Sequence, residues 1–297
     1  MELFWEKFSK DRNFDITNFR NTKQHNIFAN WSPYERGLTF HNFLINYFIN
    51  NNKKKFINFK KKINNLNIGK APGIFYDNKF HISYDDCLSF EEYDFLYENL
   101  NKKKYINVIE IGPGYGRTVE TMIKNFKIKN YVIIDYKNIL SLTKKYLRKV
   151  LTKNEFNKVY FVNFEDFNFK DNFFFNKFNI KNFDLFFNAD SFHEIEKYII
   201  KKYLNYFSVV CDAFFIKNAV GKYRPIDLVD HLTKKKTPQY NKKLGLCYEE
   251  INIFDTKKSN SQVKKYLKRY QPYKSSSVIK YKLSNIYPSV LLSYFQK

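Results

Sequence analysis

The chain has 297 residues, 44% of them apolar with 33 Phe and 24 Tyr, which excludes a disordered protein and allows one large core or a core with a smaller cap. It carries a formal charge of +23, yet lysine outnumbers arginine roughly six to one and Asn, Ile, Phe and Tyr are also inflated. That pattern fits AT-rich codons better than a nucleic-acid partner, which favours arginine's bidentate contacts.

The opening MELFWEKFSK mixes charges and lacks an apolar run, which argues against a secretory leader, and no stretch suits a membrane helix. Cys87, Cys211 and Cys247 are odd in number and far apart, so they read as reduced thiols of a cytoplasmic protein without a zinc or disulfide framework. Residues 1–100 read as a mostly helical cap or lid. Ser32-Pro33-Tyr34-Glu35 has the residues of a capping box with proline at the first helical position. Leu38, Leu44, Tyr47 and Phe48 follow at roughly helical spacing as one buried face. Ala71-Pro72-Gly73 marks a turn, residues 74–84 a short hairpin, and Ser89-Phe90-Glu91-Glu92 a second capping signal for a helix to about Asn99.

From residue 101 to the end, strands and helices alternate, which predicts an α/β core with a doubly wound, Rossmann-like parallel sheet. The predicted strands cover residues 105–111, 131–134, 159–162, 183–187 and 209–216. Residues 277–283 and 289–295 supply a final pair, the last strand antiparallel.

Between the first strand and its helix lies Glu110-Ile111-Gly112-Pro113-Gly114-Tyr115-Gly116, which holds three of the chain's eight glycines. Glycines at this turn let a ligand approach the backbone and leave helical N–H groups free. A dinucleotide loop needs G-x-G-x-x-G, but Arg117 stands where its third glycine belongs, and no Gly-Lys-Ser/Thr follows for a triphosphate. The spacing here is E-x-G-x-G-x-G, whose acid Glu110 suits a cofactor bearing an ammonium group. Asp135, with Tyr136 beside it, ends the second strand, where a carboxylate can accept from both ribose hydroxyls. Glu165 and Asp166 follow the third strand, where a polar group could meet an adenine amine, or they are plain solvated loop acids. Asn188, at the end of the fourth strand, completes the set. Together these residues predict an S-adenosylmethionine site.

With these segments in view, the chain resembles a family of bacterial sugar O-methyltransferases of the class I fold. The matching stretches are residues 32–42 (SPYERGLTFHN), 108–116, 188–194 (NADSFHE), 218–225 (NAVGKYRP) and 287–295. The resemblance implies the class I strand order, with the cofactor across the carboxyl ends of the first and fourth strands. It also implies an acceptor that is a carbohydrate, a nucleotide-sugar or a glycan, methylated in surface-polysaccharide biosynthesis.

Methyl transfer to a sugar hydroxyl calls for alignment and for a base. His193 is the first choice, because imidazole titrates near working pH, and Asp190 is the second, or it orients the histidine. Glu194 completes the catalytic candidates, although Ser191-x-x-Glu194 is also a capping box. After the fifth strand, Arg224 can clamp an anionic group, Tyr223 can stack on a sugar ring, and Lys222 adds a charge. Asp227, Asp230 and His231 with Asp190 match no firm metal pattern, so no metal is expected.

Two other functions remain open. Net charge and aromatic content would suit an RNA methyltransferase, but NADSF stands where an amino-methylating Asn/Asp-Pro-Pro-Tyr/Phe segment would lie. A catalytically silent interaction subunit would have no need of the intact glycine turn. The N-terminal cap either closes over the cofactor or meets a second copy in a homo-oligomer.

Overall fold

The N-terminal region condenses around aromatic side chains in the computed structural model, which describes residues 15–20, 38–63, 66–101, 104–170, 172–224, 244–252, 255–272, 276–287 and 289–297. Helix α1 (Leu38–Lys60) is broken at Asn52, whose φ of −130° leaves the helical region and whose amide donates to the Phe48 carbonyl at 2.9 Å. Its buried stripe is Ile45, Phe48 and Ile49, while Leu44 and Tyr47 are exposed. Of the expected face Phe48 is buried, and Ile45 and Ile49 stand in for Leu44 and Tyr47, because the packing partner selects the stripe. The SPYE capping segment lies outside the described residues.

Strands β1 (Gly73–Tyr76) and β2 (Phe80–Ser83) form the predicted hairpin, with Asp77 and Asn78 at positive φ in its turn. Helix α2 (Tyr84–Leu100) begins earlier than predicted. The Ser83 N–H and hydroxyl both donate to Asp86, at 2.7 and 2.9 Å, so the capping box sits there and Ser89 is interior. Phe48, Phe56, Phe59 and Phe90 fill the space between α1 and α2. Arg20–Asp85 and Lys60–Asp86 pairs close the polar side of the same junction. Helix α2 also packs on the main sheet, through Phe95 against Phe215 at 5.7 Å between ring centroids and through Lys280 paired with Glu98.

The core then alternates as predicted: β3 (Ile106–Ile111), α3 (Arg117–Asn125), β4 (Ile128–Asp135), α4 (Lys137–Val150), the short α5 (Lys153–Phe156), β5 (Val159–Asn163), α6 (Phe173–Phe178), β6 (Leu185–Ala189), α7 (Lys197–Val210) and β7 (Ala213–Ala219). Residues 209 and 210 belong to α7 and not to the fifth strand of the core, a correction to the predicted range. Two valines look like strand, but the helical stripe Ile200, Tyr203, Leu204 and Phe207 carries α7 through them, and Val209 is exposed. A two-residue parallel pair, β8 (Lys222–Tyr223) with β9 (Glu250–Ile251), precedes α8 (Thr256–Tyr270). Strands β10 (Ser277–Leu283) and β11 (Val290–Gln296) finish the chain.

The seven-stranded sheet runs β10-β11-β7-β6-β3-β4-β5. Strands β3 to β7 are parallel, β11 is antiparallel to β7, and β10 is antiparallel to β11. Side chains of α2, α3 and α4 cover one face, and those of α6, α7 and α8 cover the other. This is a doubly wound α/β sheet with the strand order and single reversed strand of the class I methyltransferase fold. The order changes direction between β3 and β6, and ligands in open α/β sheets bind beyond the carboxyl ends of the strands at such a point. No helix among the described residues is long and apolar enough to cross a membrane.

Candidate functional site

The glycine turn lies at the carboxyl end of β3, with Gly112, Gly114 and Gly116 all at positive φ (71°, 56° and 100°). A Cβ on Gly112 would lie 2.6 Å from the Ser191 side chain, so this glycine lets the loop after β3 touch the loop after β6. A Cβ on Gly116 would meet Thr143 of α4 at 2.9 Å. Thr143 also donates its hydroxyl to the Gly114 carbonyl at 2.6 Å and so props the turn from behind. Gly112 and Gly114 keep partial exposure, whereas Gly116 is buried.

Asp135 ends β4 and faces this turn. Its half-buried carboxylate accepts the N–H groups of Tyr136, at 2.8 Å, and of Gly114. Burial outweighs these donors and pushes its pKa up to about 7. The Tyr136 ring meets Phe164 at 5.4 Å, making an aromatic pair where β4 and β5 end. Phe164 was not predicted, since one more phenylalanine among 33 carries no signal. Glu165 and Asp166 share its 3-10 turn (Phe164–Asp166) but are exposed, with Glu165 accepting from Asn163 at 3.3 Å.

Two of the residues expected at the cofactor, Glu110 and Asn188, turn their side chains inward. Glu110 is 1% exposed. Its two oxygens accept the hydroxyls of Thr118 and, at 2.8 Å, Tyr131. Burial raises its pKa to about 8, and its two hydroxyl contacts tie β3 to α3 and β4. Asn188 is fully buried. Its amide donates to the Ile111 carbonyl at 3.0 Å and to Ser191 at 2.5 Å, and its oxygen accepts from Asn218 at 2.8 Å. It is a clamp between β3, β6 and β7.

The loop after β6 carries the residues expected on the acceptor side. Asp190 is held at φ 60°, with its N–H on the Lys217 carbonyl at 2.8 Å and its carboxylate on the Lys217 ammonium at 2.7 Å. Ser191 does not close a capping box; its hydroxyl donates to the Ile111 carbonyl at 3.1 Å, and α7 starts only after Glu196. His193 donates its backbone N–H to the Asn218 side chain at 3.2 Å. Its half-buried ring places Nε2 3.5 Å from Glu194.

Lys222, expected near substrate, is 6% exposed and donates to the His193 carbonyl at 3.0 Å, which braces the loop from below. Burial lowers its pKa. Tyr223 lies in β8, half-buried Arg224 follows it, and Asp227, Asp230 and His231 lie outside the described residues. Among the described residues no group of three His, Cys, Asp or Glu could hold a metal.

The residues that sequence reasoning missed are the charged ones behind Asp190. Lys217 is 1% exposed in the middle of β7 and bonds Glu92 of α2 at 2.8 Å. Glu92 in turn takes a bidentate pair from Arg117, at 2.8 and 3.0 Å. A readable signal existed: a lone lysine inside Ala-Phe-Phe-Ile-Lys-Asn-Ala is out of place in a central strand buried on both faces. Its partner was unreadable, because Glu92 lies 125 positions away.

No protein-family model and no curated protein matches the sequence. Among solved structures, the chain is similar to the mitomycin 7-O-methyltransferase MmcR, at 10% identity over 72% of this chain and 56% of that one, with a TM-score of 0.43. The chain thus spans little more than half the length of that enzyme. It is also similar to the methyltransferase domain of bacterial CtHen1, at 10% identity over 71% of this chain and 100% of that one, with a TM-score of 0.46. A S-adenosylmethionine-dependent methyltransferase from Clostridium acetobutylicum shares 14% identity over 69% of this chain and 90% of its own, with a TM-score of 0.42. At such distances nothing about cofactor or acceptor passes from those proteins to this chain, and the fold rests on its strand order and directions.

Proposed function

We propose that the chain is an S-adenosylmethionine-dependent O-methyltransferase and that its acceptor hydroxyl belongs to a sugar. The observation that carries the reading is the turn of three left-handed glycines facing the Asp135 carboxylate at the switch point of the sheet. The donor set suits this cofactor. Asp135 is an acceptor for ribose hydroxyls, and such donors would relieve the burial that now raises its pKa. Tyr136 and Phe164 offer ring faces beside the adenine, with Glu165 and Asp166 at its edge. Backbone at Gly112 and Gly114 can approach closely. When bound, the cofactor supplies an electrophilic methyl group on a sulfonium centre.

On the acceptor side, Asp190 accepts a hydrogen bond from the hydroxyl and orients it, and His193, with Glu194 beside its ring, takes the proton. The N-terminal elements α1, β1, β2 and α2 serve as a cap. The sugar reading draws on the NADSFHE and NAVGKYRP segments, which are bound to each other by Asn188–Asn218, His193–Asn218 and Lys222–His193 contacts. Two resembling segments that knit into one unit support a shared acceptor site, and Arg224 would add a clamp for a nucleotide-sugar phosphate.

The test is transfer of tritium from labelled S-adenosylmethionine to a mixture of methyl glycosides and nucleotide-sugars, with total RNA in parallel. The reading expects label in sugar with little dependence on salt. Label in RNA, falling about 10³-fold or more between 50 and 200 mM salt, would instead assign the +23 charge to an RNA acceptor.

A further inference from the structure

Behind the acceptor loop, charged side chains run in a buried line from the glycine turn to Asp190. Arg117 directly follows Gly116 and grips both oxygens of Glu92. Glu92 accepts from Lys217 at 2.8 Å, and the same ammonium donates to Asp190 at 2.7 Å. The side chains of Lys217 and Glu92 are 1% and 2% exposed, and that of Asp190 is 30% exposed. The line is therefore dry at its middle and open at one end.

Stability alone does not account for it. Desolvating a buried ion pair costs several kcal/mol, and apolar side chains of similar volume commonly serve a fold as well or better. Asp190 adds to the cost, since a left-handed backbone in a residue other than glycine is strained by roughly 1–2 kcal/mol. Lys217 holds both ends of this residue, its carbonyl taking the Asp190 N–H and its ammonium the carboxylate. Burial pulls the lysine toward neutrality, but the carboxylates of Asp190 and Glu92 outweigh it and keep the ammonium charged. The next residue, Ser191, touches the position of Gly112, so Asp190 stands beside the cofactor turn.

We propose that Lys217, anchored by Glu92, is a positioning residue for the acceptor: it fixes the Asp190 carboxylate so that the oxygen it does not hold receives the hydroxyl to be methylated. The proposal rests on the methyltransferase reading above. Lys217 itself is too buried to touch an acceptor, and it acts through Asp190.

Three variants test this: K217M, the conservative K217R, and the double variant E92Q/K217M, which removes the buried ion pair while leaving Arg117 an acceptor and so keeps the test alive if K217M fails to fold. Each is assayed by calorimetry with S-adenosylhomocysteine and by turnover on an equimolar mixture of methyl glucoside, methyl galactoside, methyl mannoside and methyl rhamnoside. The expected result is unchanged S-adenosylhomocysteine affinity, kcat lower by about 100-fold in K217M or E92Q/K217M, and partial rescue in K217R. Unchanged turnover in a folded variant overturns the proposal, as does loss of S-adenosylhomocysteine affinity parallel to the loss of kcat, which would assign the network to the cofactor turn. A wild type that binds no S-adenosylhomocysteine overturns the methyltransferase reading itself. A wild type that binds it but methylates none of the four glycosides removes the sugar acceptor and this proposal with it.

Discussion

Burial acts on two acids near the glycine turn, and the consequences differ because one is sealed and the other is only half-buried at a strand end. Glu110 has a folded-state pKa of about 8 against an ordinary 4.5. Between those values the unfolded chain releases a proton that the native state keeps, so native stability falls as pH rises through that window and levels off above it. Glu110→Gln cannot ionise in either state. The pH-dependent part of its advantage over the wild type should be about 4 kcal/mol at pH 8 and nearly gone by pH 4.5, read from urea melts at both values. Because Glu110 is sealed behind the turn, the same variant should bind S-adenosylhomocysteine as the wild type does.

Burial pushes the Asp135 pKa up to about 7, and the role proposed for it, accepting from ribose hydroxyls, requires the carboxylate. Affinity should therefore weaken by up to about tenfold per unit as pH drops below 7, and Asp135→Asn should abolish this dependence along with most of the binding. Calorimetry at pH 6, 7 and 8 checks it. Spacing alone placed Asp135 at a strand end beside the turn. It could not tell that Glu110 and Asn188, in equally suggestive positions, turn inward to Thr118, Tyr131 and Asn218, because side-chain direction depends on partners remote in the chain.

At the scale of elements, α2 joins the N-terminal region to the core. One side of it carries Phe90, whose ring centroid lies 5.2 Å from that of Phe56 and 5.6 Å from that of Phe59. Its other side brings Phe95 to the sheet and Glu92 to Lys217. Phe90→Ala should cost about 3–5 kcal/mol in urea unfolding, since a buried phenylalanine leaves a cavity that rings cannot fill. A change below about 1 kcal/mol would show that the α1–α2 junction is not a packed core.

Elements with strong period or punctuation were legible, among them the hairpin, the strands of the sheet and the helices between them. The misplaced boundaries have local causes. Ser83 with Asp86 and Ser89 with Glu92 are both Ser-x-x-acid patterns, and only tertiary packing sends Glu92 inward to Arg117 and Lys217. The Val209-Val210 pair reads as strand until the stripe of α7 claims it.

For the whole molecule, strand order followed from the class I resemblance and from β-rich runs at the C-terminus, and the reversed β11 stands where it was expected. The charge of +23 spreads over surfaces such as α8, where Lys257, Lys258, Lys264, Lys265 and Lys268 are all exposed. What the sequence hid is the line of contacts joining α2, α3, β7 and the acceptor loop, since each pair spans a long separation in the chain.

The central claim is that the turn from Gly112 to Gly116 and Asp135 together hold S-adenosylmethionine. Its most direct test is calorimetric titration of the purified wild type and of Asp135→Ala with S-adenosylmethionine and S-adenosylhomocysteine, with circular dichroism confirming that both are folded. The account predicts dissociation constants on the order of micromolar for the wild type, the range in which about 8 kcal/mol of binding free energy lies, and no detectable heat for the variant. A folded wild type that binds neither ligand, or an Asp135→Ala protein that binds as the wild type does, would contradict it.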